Sequence, residues 1–230
     1  MKNEKAIGWL LIAGAVGVFI PYTILTMIFE YPDILRQDTA MILTKFHEGG
    51  NKLIWTWFAF AILGISLIPA YILIGKKIED QRSWVRVATT IGIIGLIVQM
   101  IGLLRWTFVV PVLANTFVNA TDEATKASAV VAFKTIHQYG GVILGEHLGQ
   151  LFTIIWTVLI SISFAKLKVL PRWINWLGII NSFIYLLAQA ELFATVMPGF
   201  PVWGMAGFIG STLWLIWLII VGIRFLISRS

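Results

Sequence analysis

The chain has 230 residues, of which 59% are hydrophobic and 12% charged, with a net charge of +6 and a mean hydropathy of +0.89. A soluble globule of this length carries about twice that share of charge, so a lipid bilayer is the expected partner, and the basic excess needs no nucleic acid to explain it. With no Cys, disulfides, thiolate catalysis, zinc ribbons and cysteine-ligated clusters are excluded.

A hydrocarbon core about 30 Å thick takes about 20 apolar residues at 1.5 Å each. Six runs meet that length, near residues 6–29, 52–75, 85–115, 138–165, 173–195 and 205–227. They predict an all-α, polytopic membrane protein with six transmembrane helices in one bundle, a single domain over residues 1–230. The first run is too long for a signal-peptide core and no small-residue cleavage site follows Phe29, so it is expected to remain as a span.

Between the first two spans, Ile34, Leu35, Met41, Ile42 and Phe46 recur near helical spacing with charged residues between them, and Gly49-Gly50 supplies a stop. Residues 30–51 therefore predict a short amphipathic helix in the first outer loop, on the surface or capping the bundle. Residues 116–137 are expected to form the second outer loop. Residues 195–204, with Pro198, Gly199 and Pro201, predict a stiff, uncharged turn.

The basic residues set the orientation. Lys2, Lys5, Lys76, Lys77, Arg82, Arg86, Lys166, Lys168, Arg172, Arg224 and Arg229 would share one face of the membrane. Arg36, Lys45, Lys52, Lys126 and Lys134 would share the other, where acidic residues offset them. The positive-inside rule then predicts cytoplasmic N- and C-termini. Trp84, Trp173 and Trp176 are expected in the inner aromatic belt, and Trp55, Trp57 and Trp203 in the outer one.

Four ionisable residues fall inside the runs: Arg105, Glu146, His147 and Glu191. A charge in hydrocarbon costs several kcal/mol, so each should face the bundle interior or a wet cavity, and Arg105 should lie near Glu146 or Glu191. Counted from their span ends, all four lie in the outer half, near His47, His137 and Tyr139 at the helix mouths.

The fourth span is the most informative. At about 100° per residue, Gly141, Gly145 and Gly149 share one narrow face, a glycine zipper that packs against another helix. Glu146, Gln150, Thr153, Thr157 and Ser161 form a polar stripe on a different face, with His147 on its flank. The fifth span contributes Asn175, Ser182, Tyr185 and Gln189. Ser, Thr, Asn and Gln commonly hold membrane helices together, whereas ionisable groups there point to function.

An outward-opening pocket is therefore expected, lined by Arg105, Glu146, His147, Gln150, Tyr185, Gln189 and Glu191. His147 with Glu146 or Glu191 offers ligands for a divalent metal, and His47 with His137 could flank a haem iron. On an unbroken α-helix His137 and His147 lie about 15 Å and about 280° apart, too far to share one ion. No HExxH, phosphate-binding loop, nucleophile elbow or nucleic-acid motif occurs.

Leu170-Pro171-Arg172-Trp173, Trp176-Leu177-Gly178-Ile179-Ile180, and the closing Leu213-Trp214-Leu215-Ile216-Trp217-Leu218-Ile219 with Gly222 resemble the C-terminal half of a bacterial membrane family catalogued as domain of unknown function 4386. The resemblance covers roughly the last third of the chain. It implies a small polytopic bacterial plasma-membrane protein and carries no activity or catalytic residues. Three functions fit these residues: a pocket that binds a small ligand or metal ion and acts on it, a small-solute transporter or ion pathway along the fourth span, or a structural or interaction subunit with no ligand.

Overall fold

A computed structural model describes residues 2–227, with the backbone alone for Lys2. Arg229 and the Lys2 side chain, both used above for orientation, lie outside the described residues. The chain is 88% helical, and among the described residues there is no strand. Six helical stretches are long and apolar enough to cross a membrane: Asn3–Phe29, Thr39–Gln81, Trp84–Asn119, Glu123–Leu167, Arg172–Ala194 and Ala206–Ile227.

Within them the helices are α1 (Lys2–Phe29), α2 (Thr39–Ile62), α3 (Leu67–Ile78), α4 (Trp84–Phe108), α5 (Val110–Asn119), α6 (Glu123–Ile136), α7 (Gln150–Leu167), α8 (Arg172–Leu187), α9 (Gln189–Ala194) and α10 (Ala206–Ile227). The breaks have local causes. Pro69 cannot donate a helical hydrogen bond, and the chain tightens to 3-10 geometry over Leu63–Ser66 just before it. Pro111 likewise separates α4 from α5, leaving Val109 at φ −112° and ψ −51°. From His137 to Gly149, a stretch holding four glycines, the backbone winds as a π-helix before α7 begins.

The short helix expected in residues 30–51 is present: α2 starts at Thr39 and its regular winding breaks at Gly50, whose φ of +54° and ψ of −150° suit only glycine, before a second helical stretch runs on to Ile62. Ile42, Leu43 and Phe46, and Ile34 before it, are buried, so this helix packs into the core instead of lying on a surface. One expectation about loops is corrected: residues 116–137 are not a loop, because α5 continues to Asn119 and α6 starts at Glu123. Asp122 caps α6 by accepting from the Thr125 backbone N–H at 2.8 Å and from Thr125 Oγ1 at 2.8 Å. Those bonds hold the Asp122 carboxyl below its ordinary pKa.

The chain falls into two compact units, the first built from Met1–Val16, Gly64–Val98 and Glu146–Ser230, the second from Gly17–Leu63 and Gln99–Gly145. The second has an aromatic core. Trp57 and Trp106 stack with centroids 4.7 Å apart, Phe46 stacks on Trp106 at 5.6 Å, and Phe29 stands edge-on to both indoles. Trp57 is fully buried, so it is core rather than part of an outer belt. Trp55, Trp84, Trp173, Trp176 and Trp203 are exposed.

In the first unit Tyr71 and Trp156 stack at 3.5 Å, and a Cβ at Gly92 would stand 2.5 Å from the Trp156 ring, so only glycine admits the indole there. Helices α8 and α10 are tied by indole and amide bonds: Trp217 Nε1 donates to Ile174 O at 3.0 Å, and Asn181 donates to Gly210 O at 3.0 Å while accepting from Trp214 N at 2.8 Å. Helices α1 and α10 touch backbone to backbone, with a Cβ at Gly8 only 2.7 Å from Gly222 O. The outside of this unit is apolar, with Trp9, Val87, Ile180, Phe183 and Leu187 exposed, as suits lipid.

Candidate functional site

The first unit gathers four of the expected site residues around one glutamine. Gln189 sits where α8 passes into α9, just after Ala188, and is almost fully buried. Its Nε2 donates to Gln150 Oε1 at 2.7 Å and to Glu146 O at 3.2 Å. Its Oε1 lies 2.7 Å from His147 Nδ1. Gln150 Nε2 in turn donates to Tyr185 O at 2.7 Å. Every member of this chain thus has a defined role: Gln189 spends both amide hydrogens on carbonyl oxygens, so its own oxygen can only accept.

That direction fixes His147. Its Nδ1 carries the hydrogen, and in the neutral ring Nε2 is left with a lone pair, the arrangement found when a histidine serves as base or metal ligand. The ring is half-buried and meets Phe193 edge-on with centroids 6.3 Å apart. Glu146 and Glu191 are also half-buried, one beside His147 in sequence and the other two residues beyond Gln189. Tyr185 joins through its backbone carbonyl.

Arg105 belongs to the second unit, and the structure shows its partners there. The guanidinium is buried, with Nη1 donating to Gly102 O at 2.5 Å, Nη2 at 3.4 Å from His137 Nδ1, and Cζ 5.2 Å from the Trp106 ring centre. Gly141 makes room for it, since a Cβ there would stand 2.5 Å from Nη2. His137 also stacks on Phe133 at 5.4 Å, so its Nδ1 and one face are both engaged. His47 is on the exposed side of α2 in the same unit. Among the described residues no group of three or more His, Cys, Asp or Glu is arranged to hold a metal ion.

The polar stripe of the fourth span continues below Gln150 as an enclosed seam. Thr153, Thr157 and Ser161 are buried, Thr157 Oγ1 donates to Thr153 O at 2.8 Å and accepts from Trp214 Nε1 at 3.1 Å. Gly178 packs directly on Ser161 Oγ and the Trp217 indole.

The glycine zipper has receptors on α4 that the sequence reading missed. A Cβ at Gly102 would stand 2.8 Å from the Gly145 Cα and 2.6 Å from Gly140 O; one at Gly95 would stand 3.3 Å from Gly149 O. Gly95 and Gly102, seven residues apart, were the available signal. The face angles drawn for Gly141, Gly145, Glu146 and the two histidines assumed α-geometry, which the π-helical winding of His137–Gly149 replaces.

Six lipid-compatible helices and a hydrogen-bonded cluster inside one of their units define a multi-pass membrane protein. A family model described as Domain of unknown function (DUF4386) matches residues 6–222, and the chain belongs to that family. The match spans nearly the whole chain, well beyond the C-terminal third that carried the resemblance. No curated protein and no solved structure matches it.

Proposed function

We propose that this protein resides in the plasma membrane with both termini cytoplasmic and uses the cluster of His147, Gln189 and Gln150 to take up a small ligand or divalent metal ion from the outer side. Glu146 and Glu191 are the charged partners of that site. The observation that carries this reading is the directed hydrogen-bond chain that ends on His147. Holding a glutamine by three bonds so that it orients one imidazole is a supporting shell around a working side chain. Both Gln150 and Gln189 lie 17 residues from the turn between α7 and α8, about 26 Å at 1.5 Å per residue. In a core about 30 Å thick that depth is close to the outer boundary, where solutes have access.

The test is elemental analysis and an absorption spectrum of protein purified without chelator, followed by zinc and cobalt titration. Stoichiometric metal or chromophore, lost in His147→Ala and weakened in Gln189→Leu, is the expected result. The reading fails if wild type carries neither, binds neither probe and responds to metal no differently from His147→Ala.

The enclosed seam of Thr153, Thr157 and Ser161 favours a second reading, in which the polar residues only hold helices together. It expects His147→Ala and Gln189→Leu to change stability and nothing else. A solute pathway along the same seam would require it to open, which exchange of its hydroxyl-bearing residues for cysteine and aqueous labelling would detect.

A further inference from the structure

The opposite end of the first unit holds a cavity of 450 Å³ that the His147 site does not involve. It lies among Glu4 of α1, Lys77 and Ile78 of α3, Gln81, Leu167 with Val169–Pro171 in the turn between α7 and α8, and Arg224, Phe225 and Ile227 at the end of α10. Every element contributes its basic-side end, the level at which lipid headgroups sit.

We propose that this cavity binds the phosphodiester of an anionic phospholipid from the adjacent leaflet. Its charges suit that group. Lys77 Nζ is 2.6 Å from Glu4 Oε1, so these two offset each other. Arg224 is half-buried at the cavity wall and makes no side-chain hydrogen bond or ion pair among the described residues. One uncompensated guanidinium matches the single negative charge of a phosphodiester, which its planar fork can grip through two oxygens. Ile78, Leu170, Phe225 and Ile227 add a smaller apolar share to this mainly polar lining, where the glycerol carbons that a lipid brings with its phosphate can rest. An inorganic anion makes no use of those contacts. Basic pockets between membrane helices at the headgroup level are the general form of such sites.

Native mass spectrometry of the full chain from mixed micelles of phosphatidylglycerol and phosphatidylcholine tests this. The expected result is retention of one phosphatidylglycerol in preference to phosphatidylcholine, with the preference reduced about tenfold in Arg224→Gln, the ordinary effect of losing one charge-assisted hydrogen bond. Arg224→Lys should keep part of it. Glu4→Gln should raise it, because Lys77 is then freed for the phosphate; this arm has the opposite sign and guards against a mere folding defect in Arg224→Gln. Equal retention of the two lipids, or a preference unchanged in Arg224→Gln, overturns the proposal. Protection against heat by millimolar inorganic phosphate equal to that by the lipid would make the site one for free anions and overturn the assignment to lipid.

Discussion

Gly102 and Gly145 touch each other, yet alanine should act on them in opposite ways. At Gly102 the new methyl would meet three backbone atoms, Gly140 O at 2.6 Å, Gly145 Cα at 2.8 Å and Gly145 N at 2.9 Å, and backbone cannot rotate aside as a side chain can. Relief requires the helices to part by several tenths of an ångström, and overpacking of this kind costs about 1–3 kcal/mol. Against it stands the gain from replacing a helical glycine by alanine, about 1 kcal/mol. Gly102→Ala should therefore destabilise by about 1 kcal/mol net, lowering the midpoint by about 2–4 °C for a chain of this size. At Gly145 the methyl would find Gly140 O at 3.5 Å and Gly102 Cα at 3.6 Å, ordinary contact, so the helix gain should dominate and stability should hold or rise. Detergent-solubilised variants followed by heat or SDS titration give both values. Equal losses at the two positions, or none at Gly102, would refute the claim that backbone contact limits this approach.

Gln189→Leu should lose about 1–3 kcal/mol, mainly by stranding the buried Gln150 Oε1, and 15N spectra of labelled histidine should show His147 losing its fixed Nδ1–H form. Trp57→Ala, which removes a fully buried indole from the aromatic core of the second unit, should cost about 3–5 kcal/mol in the same unfolding assay. A cysteine at Lys77 should react only with membrane-permeant reagent in intact cells and one at Asp122 with impermeant reagent as well; the native chain has no Cys to obscure the result, and the reverse pattern would invert the proposed orientation. Because the Asp122 pKa is lowered in the folded state, its capping contribution is complete above the ordinary aspartate range and lost as pH falls through the lowered value. The protection of amides 124–126 relative to their intrinsic exchange rates should therefore fall in acid, be low at every pH in Asp122→Ala, and show no acid step in Asp122→Asn.

Span number was legible because it depends on the length of an apolar run, a local property, and each of the six runs carries its own signal. Helix ends were read unevenly: Gly49-Gly50 marked the break inside α2, whereas α6 runs through a charged segment whose burial depends on partners distant in sequence. Trp57 shows the same limit: an indole reads alike whether it anchors in headgroups or stacks on Trp106. His147, Gln150 and Gln189 stood out as polar groups in apolar surroundings, but their linkage rests on the break between α8 and α9 and on the π-helical approach to α7. The engagement of Arg105 with His137 and Gly102 O was hidden for another reason, because charge arithmetic sends an arginine toward carboxylates and is blind to carbonyl oxygens. The cavity beside Arg224 comes from four chain segments and leaves no contiguous trace.

The backbone contact between Gly8 and Gly222 has a consequence for how the protein is made. These residues stand 214 positions apart in sequence, so the surface of α1 that α10 covers has no partner until that length of chain has been translated after it. At about 5–20 residues per second, α1 waits on the order of 10–40 s in the membrane with that surface open. During this interval the nascent chain offers a narrow, glycine-lined groove to any other helix nearby, and an insertion chaperone or a premature neighbour would find its opening there.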